Sequence, residues 1–326
     1  MKIAYIVLAH RNPEQLIRLI SKLNTENTSF FIHIDQRSDA KIYQQIVTGL
    51  SHIQNVYFLK RHKCFWGHFS IVEATIEGFK EVFSKKISFD WVFLISGQDY
   101  PIKPNSYIEE FLHKNQGKSF IDYFPIPQPD EITPKWPNSG FDRIIYWHFR
   151  LFDEPFVFPG KRQLNVYHWK KYPGPPILKD RIISKLWFSL VSKFSIRRKF
   201  LKGFKPFAGS QFWGLSRECA EFVYNFIQEN PKVVNYFKYV DIPDEMFFQT
   251  IILNSKFNHD VINKNLWHID WDNPNPDYPA TMEKKDFDTL MKSPKLFARK
   301  FDISRDSDIL SMLDKHILNV EQECIK

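Results

Sequence analysis

The first hundred residues repeat one pattern, a short apolar run, a polar turn and a stretch with helical spacing, and few folds accommodate that alternation. Ile3 to Ala9 reads as a buried strand, too short to span a bilayer and without a signal-peptide cleavage pattern. Asn12 to Leu23 follows with helical spacing. Asn12 is expected at the N-cap and Pro13 at the first helical position, with Leu16, Ile17, Leu19, Ile20 and Leu23 forming one stripe. Further strands are expected at Phe30 to Ile34, which runs into Asp35, at Val56 to Leu59 and at Trp91 to Ile95, with a helix over Ser70 to Phe83. The alternation predicts an α/β fold with a mostly parallel central sheet flanked by helices and functional groups at the carboxyl ends of the strands.

From about 122 to 175 the periodicity gives way to proline, aromatic and charged residues, a composition typical of loops that cover sites. Order is expected to return with a helix over Arg181 to Arg198, a strand at Phe212 to Leu215, helices at Arg217 to Gln228 and Glu245 to Asn254, and a closing helix at Asp306 to Leu318. There are 32 phenylalanines, which serve a core or line a site that stacks rings.

The formal charge of +8 is concentrated. Lys161 to Lys205 carries 13 Lys or Arg against Asp180 alone, so this segment holds +12 and the rest of the chain −4. A mildly acidic body with no nucleic-acid motif argues against a nucleic-acid partner. The Arg181–Arg198 stretch, with Leu186 and Trp187 on its apolar face, either packs in the core or lies on an anionic membrane surface, where lipid-linked saccharides are found. Cys64, Cys219 and Cys324 are too few and scattered for a disulfide framework or a zinc site, and a reducing, cytoplasmic setting is expected.

Several short constellations carry chemical content. Pro243-Asp244-Glu245 before Met246 to Leu253 is either a capped helix start or a held functional carboxylate. Ser96-Gly97-Gln98-Asp99 is a turn after a strand, where Gly97 would let a ligand approach the backbone. Gly209-Ser210-Gln211 precedes a strand in which Trp213 is a candidate for stacking a sugar. Arg299 and Lys300 are adjacent cations in the apolar frame Leu296 to Asp302. Two Asp-x-Asp triplets, Asp270-Trp271-Asp272 and Asp286-Phe287-Asp288, lie far from the nucleotide half, and no metal is expected. No glycine-rich phosphate loop of the kinase or dehydrogenase kind is present in the sequence.

AYIVLAHRNPEQLIRLI, FFIHIDQRSD, WGHFSIVEATI, FLISGQDYPIKPN, AGSQFWGLSRECAEFV, IPDEMFFQTII and SPKLFARKFD occur in register along most of the chain. Together they resemble the core-2/I-branching β-1,6-N-acetylglucosaminyltransferases and the related peptide O-xylosyltransferases. The resemblance implies a single GT-A-like domain over 1–326, with a nucleotide-binding half at 1–121, variable acceptor-side loops at 122–205 and a catalytic, diphosphate-binding half at 206–326. It implies an inverting transfer of GlcNAc or xylose from a UDP-sugar to a hydroxyl of a glycan or glycolipid, as in surface polysaccharide synthesis, without a bound metal. The remaining readings are another hexosyl donor, or a silent carbohydrate- or nucleotide-binding module of the same fold.

By the same resemblance Glu245 is the general base and Lys300 contacts the donor diphosphate. His10 and Asp35 hold the nucleoside, Trp66, Gly67, Asp99 and Arg299 lie on the donor side, and Asp244, Gly209, Ser210, Gln211 and Trp213 lie near the sugars. One position departs from the family pattern: Trp267 stands where the branching enzymes place a second diphosphate-binding Arg. Arg299 or His268 is left to supply that charge, and Asp270 and Asp272 stay open as metal ligands.

Overall fold

The computed structural model describes residues 1–132, 136–151, 154–158, 197–271 and 279–324. The strands in chain order are β1 (Ile3–Ala9), β2 (Thr28–Ile34), β3 (Val56–Phe58), β4 (Trp91–Ser96), β5 (Asp99–Pro101), β6 (Ser119–Pro125), β7 (Trp147–Leu151), β8 (Glu154–Phe158), β9 (Phe207–Ser216), β10 (Val261–Ile262), β11 (Trp267–Ile269) and β12 (Phe297–Arg299). Seven make the central sheet in the order β10-β6-β9-β4-β1-β2-β3. Neighbours are parallel except at β9, which runs antiparallel to both β4 and β6. This is the expected α/β architecture, a mostly parallel sheet flanked by helices.

The apolar runs of β1, β2 and β4 are buried almost throughout, as parallel strands covered on both faces must be. Helix Pro13–Leu23 buries Leu16, Leu19, Ile20 and Leu23, and helix Ser70–Ser84 buries Val72, Phe79 and Val82. The phenylalanines serve this core: Phe30, Phe31, Phe69, Phe79 and Phe93 are among its largest fully buried side chains. Truncating such a ring to alanine costs about 3–5 kcal/mol.

A second sheet, β11-β12-β5, sits on the carboxyl side of β4. Its register pairs Arg299 with Asp99, which brings a segment near the chain's end to the turn after the fourth strand.

Several local expectations differ from the structure. Asn12 adopts φ 52° and makes no side-chain cap; its amide donates to Asp302 Oδ1 at 2.8 Å, a long-range tie that displaces the local one. The helix expected from Glu245 begins as a 3₁₀ turn, Pro243–Glu245, and Met246 at φ −134° separates it from helix Phe247–Leu253. Gly209 to Gln211 lie inside β9, because pairing with β6 starts at Phe207. The irregular stretch after 122 contains the second half of β6, helix Phe141–Ile145 and the β7–β8 hairpin. Helices Ala40–Leu50 and Asn105–Lys114 were not expected.

The basic stretch 181–196 lies outside the described residues, as does Asp272. Arg197 and Arg198 are described and are not helical. Arg198 is 8% exposed and donates to the Tyr239 carbonyl at 2.8 Å and the Tyr236 carbonyl at 2.5 Å, so it is unavailable to a membrane surface. No helix of the described residues is long and apolar enough to cross a membrane.

Candidate active site

The turn carrying Glu245 hangs from the loop that carries Trp66 and Gly67. Gly67 adopts φ 69°, a left-handed conformation that glycine takes without a Cβ penalty, and its carbonyl accepts the Ile242 N–H at 3.0 Å. The Glu245 side chain keeps 28% of its surface open, enough for an acceptor group to reach it. Its Oε2 accepts from Arg143 Nη1 at 3.2 Å. Arg143 is itself nearly buried, with its guanidinium 3.3 Å from the centroid of the Trp136 ring.

Beside it Asp244 is buried, and among the described residues its Oδ1 has no hydrogen-bond partner. Burial pushes the Asp244 carboxyl above the usual carboxylate range, and the neighbouring Glu245 charge pushes it further. Glu245 is also raised, first by burial and then by Asp241, against the opposing pull of Arg143 and Arg299. Two adjacent acids thus compete for ionisation beside two guanidinium groups.

The β12–β5 pairing sets Arg299 Nε 3.7 Å from Asp99 Oδ1, and the Arg299 guanidinium carbon lies 4.0 Å from the Phe212 ring centroid. Burial lowers the Arg299 pKa, while Asp99, Glu245 and Asp244 pull it upward. Arg299 therefore feels both candidate catalytic carboxylates, and Lys300, 7% exposed, follows it in the chain. The segment is pinned to the first helix and to the turn after the fourth strand. Phe301 N–H donates to the Gln98 carbonyl at 2.8 Å, and Gln15 donates to the carbonyls of Gly97 (2.8 Å) and Phe301 (3.1 Å) while accepting the Ile303 N–H (2.8 Å).

A third group of residues gathers at the carboxyl ends of β1 and β2. His10 is exposed, and its carbonyl accepts from Ser38 Oγ at 2.8 Å. Asp35 is buried; it accepts from the Arg37 backbone N–H (2.8 Å), Arg37 Nη2 (2.9 Å) and the Cys64 N–H (3.2 Å). Trp66, two residues beyond Cys64, is 52% exposed. One connected path thus runs from Asp35 through the Cys64–Gly67 loop and Ile242 to Glu245.

Other expected site residues are placed differently. Asp99 has 0% exposure and is engaged by Ser96 N–H (2.9 Å), Ser96 Oγ (2.9 Å) and Trp267 Nε1 (3.2 Å), so it orients Arg299 instead of meeting a donor. Trp267, where an Arg was expected, is buried and stacks on Phe297 at 5.2 Å. Trp213 is fully buried between Phe79 (5.5 Å) and Phe248 (5.3 Å) and cannot stack a sugar. Gly209 is required by packing, since a Cβ there would overlap the Asp122 carbonyl oxygen. Ser210 and Gln211 are half-buried; the Ser210 carbonyl accepts from Gln249 at 2.6 Å. His268 is half-buried, with burial pushing its pKa down. Asp286 closes a capping box with Glu283. Arg143 was not anticipated, because its partner is 102 residues away and no local pattern marks it.

The family model described as Core-2/I-Branching enzyme matches residues 3–151 and 177–291, the greater part of the chain. The chain belongs to that family. Curated relatives include xylosyltransferase 2 of Rattus norvegicus, 25% identical over 342 residues, covering 97% of this chain and 34% of that protein. Xylosyltransferase sqv-6 of Caenorhabditis elegans is 21% identical over 345 residues, covering 99% of this chain and 37% of that protein. The chain therefore spans about a third of the length of these relatives. Among solved structures, 4-diphosphocytidyl-2C-methyl-D-erythritol synthase from Anaerococcus prevotii aligns with TM-score 0.27 and 13% identity over 41% of this chain and 58% of that one, a likeness that carries no argument.

Proposed function

We propose that this member of the family is an inverting glycosyltransferase that moves GlcNAc or xylose from a UDP-sugar to a hydroxyl of a glycan or glycolipid. The observation that carries the reading is that Glu245 and Arg299, the neighbour of Lys300 in the chain, each feel the other's charge. Glu245 takes the acceptor hydroxyl proton as the oxygen attacks the anomeric carbon from the face opposite the leaving group, so a single displacement inverts configuration. The bond from that carbon to the diphosphate oxygen breaks, and the charge gathering there is stabilised by Lys300 and Arg299 as pre-placed cations. In this reading Arg299 supplies the second positive charge that Trp267 cannot, and no divalent ion is needed at the diphosphate. His10, Asp35 and Trp66 form the nucleoside side of the same edge.

The test is a thermal-shift screen with UDP-xylose, UDP-GlcNAc and other nucleotide sugars, each with and without EDTA, followed by UDP release. A donor-induced stabilisation that is the same in both arms, with UDP released on turnover, is expected. Donor binding that depends on a divalent ion overturns metal independence. Binding without any UDP release indicates a silent module.

A further inference from the structure

A cluster of ligand-type side chains lies behind the donor-side loop, outside the chemistry proposed above. His33, on β2, is 1% exposed; His62 and Cys64 come from the loop after β3 and are half-buried. One ligand atom from each of the three falls within 4.8 Å of the others. The imidazole rings are 4.5 Å apart, and His33 Nε2 faces His62 Nδ1 at 3.2 Å.

The hydrogen bonds around these rings leave an opening for a cation. The Ser70 carbonyl can only accept, so His62 Nε2, 2.8 Å from it, carries a proton and donates; in the neutral ring Nδ1 is then bare. His33 Nε2 lies 3.3 Å from the His62 backbone nitrogen and 3.2 Å from His62 Nδ1: with its proton on Nδ1 the single Nε2 lone pair is open to a cation or to that N–H, and in the other tautomer Nε2–H donates to His62 Nδ1. In the tautomer with His33 Nε2 unprotonated, two ring nitrogens converge across 3.2 Å, an arrangement that a cation shared between them satisfies. Cys64 Sγ, 3.7 Å from the far nitrogen of His62, adds a soft donor that a shared proton does not require. Bonds of about 2.1 Å to nitrogen and 2.3 Å to sulfur put tetrahedral donors roughly 3.4–3.6 Å apart. The nitrogens already approach that spacing, and the site requires the Cys64 side chain to turn its sulfur toward them.

We propose that His33 Nε2, His62 Nδ1 and the Cys64 thiolate bind one zinc-class ion, with solvent at the fourth position. Binding releases the thiol proton to solvent and involves no redox change. The site is structural: Cys64 N–H holds Asp35 and the same loop continues to Gly67, which holds Ile242, so an ion fixes the loop between the nucleoside side and the Glu245 turn. It goes beyond the transfer reaction, and its test uses no sugar, so either proposal fails without the other.

The full chain, stripped with EDTA and desalted, is titrated with Co(II) while its absorption spectrum is followed. One equivalent should bind with a sulfur-to-cobalt charge-transfer band in the near ultraviolet. Zn(II) should abolish the band, and Cys64→Ser should lack it. A second measurement needs no variant: Zn(II) at saturation should lower the rate of Cys64 alkylation, because the sulfur lone pair is then held by the ion, and leave the rate at Cys219 unchanged. No stoichiometric uptake, a band that survives Cys64→Ser, or equal Cys64 alkylation with and without zinc overturns the proposal. A proton shared between the rings in place of an ion gives the first of these results.

Discussion

Asp35 and Asp244 are both buried aspartates on the same edge of the molecule, yet their surroundings treat charge in opposite ways. Burial alone would push the Asp35 carboxyl upward, but the guanidinium and backbone N–H of Arg37 and the backbone N–H of Cys64 outweigh it and hold Asp35 below its ordinary range. Asp244 has an oxygen with no partner among the described residues and an acidic neighbour, and it is raised. One carboxylate is a permanent anion suited to accepting hydrogen bonds from a nucleoside. The other belongs to a pair with a proton to exchange. In the proposed reaction proton chemistry falls to the 244–245 turn, although acids occur at both ends of the edge.

Removing the base breaks this contrast with the largest effect. Glu245→Gln is expected to lower kcat by about 10²–10⁴, the usual contribution of a positioned base, while the donor still raises the melting temperature. UDP release and thermal shift, measured together, decide it; a Gln variant with near-normal turnover rules Glu245 out as the base. Next in size is Lys300→Ala, with an expected loss of about 10²–10³ in kcat, comparable to deleting one charge-stabilising donor. The loss should be constant across pH because Lys300 takes no proton in the reaction. A Lys300 variant whose rate recovers fully at high pH contradicts a purely electrostatic role.

Arg143→Met sharpens the comparison by removing a counter-charge. Arg143 holds Glu245 down against burial, so its loss raises the Glu245 pKa further, and the base is ionised only at higher pH. Turnover should fall about tenfold on the acidic limb of the pH–rate profile and recover toward wild type above it. A uniform fall at every pH shows instead that Arg143 acts by placing the turn.

The parallel sheet was legible because β1, β2 and β4 are continuous apolar runs, a signal that buried parallel strands produce directly. Arg299 and Glu245 stood out for their local motifs, although what places Arg299 is a strand pairing between residues 200 positions apart, Arg299 with Asp99, which no local window contains. Asp99 and Trp213 misled for one reason: a polar or aromatic residue beside a strand looks the same in sequence whether it faces a ligand or fills the core. Their fully buried positions follow from the packing of β12 on β5 and of Phe79 on Trp213. Arg143 and the His33–His62–Cys64 cluster were illegible because tertiary structure alone brings their partners together.

The smallest effect tests the other half of the comparison through stability. The ordinary Asp pKa is 3.8 and that of folded Asp244 is raised, so as pH climbs the unfolded chain loses its proton first and the native state resists doing so. The contribution of this group to stability is complete below the unfolded value and is lost as pH rises through the folded one. Asp244→Asn carries no such proton and keeps a neutral group of the same shape. Relative to wild type, the variant should gain stability steadily from acid to neutral pH, by a total on the order of 1 kcal/mol or more, and nothing below the unfolded value. Asp35→Asn should do the reverse, losing stability as pH rises, because its carboxylate is held charged by Arg37 and Cys64. Denaturant melts of both variants across pH give two slopes of opposite sign. Two slopes of the same sign mean that the aspartates are not differently poised, and the assignment of proton chemistry to the 244–245 turn loses its electrostatic basis.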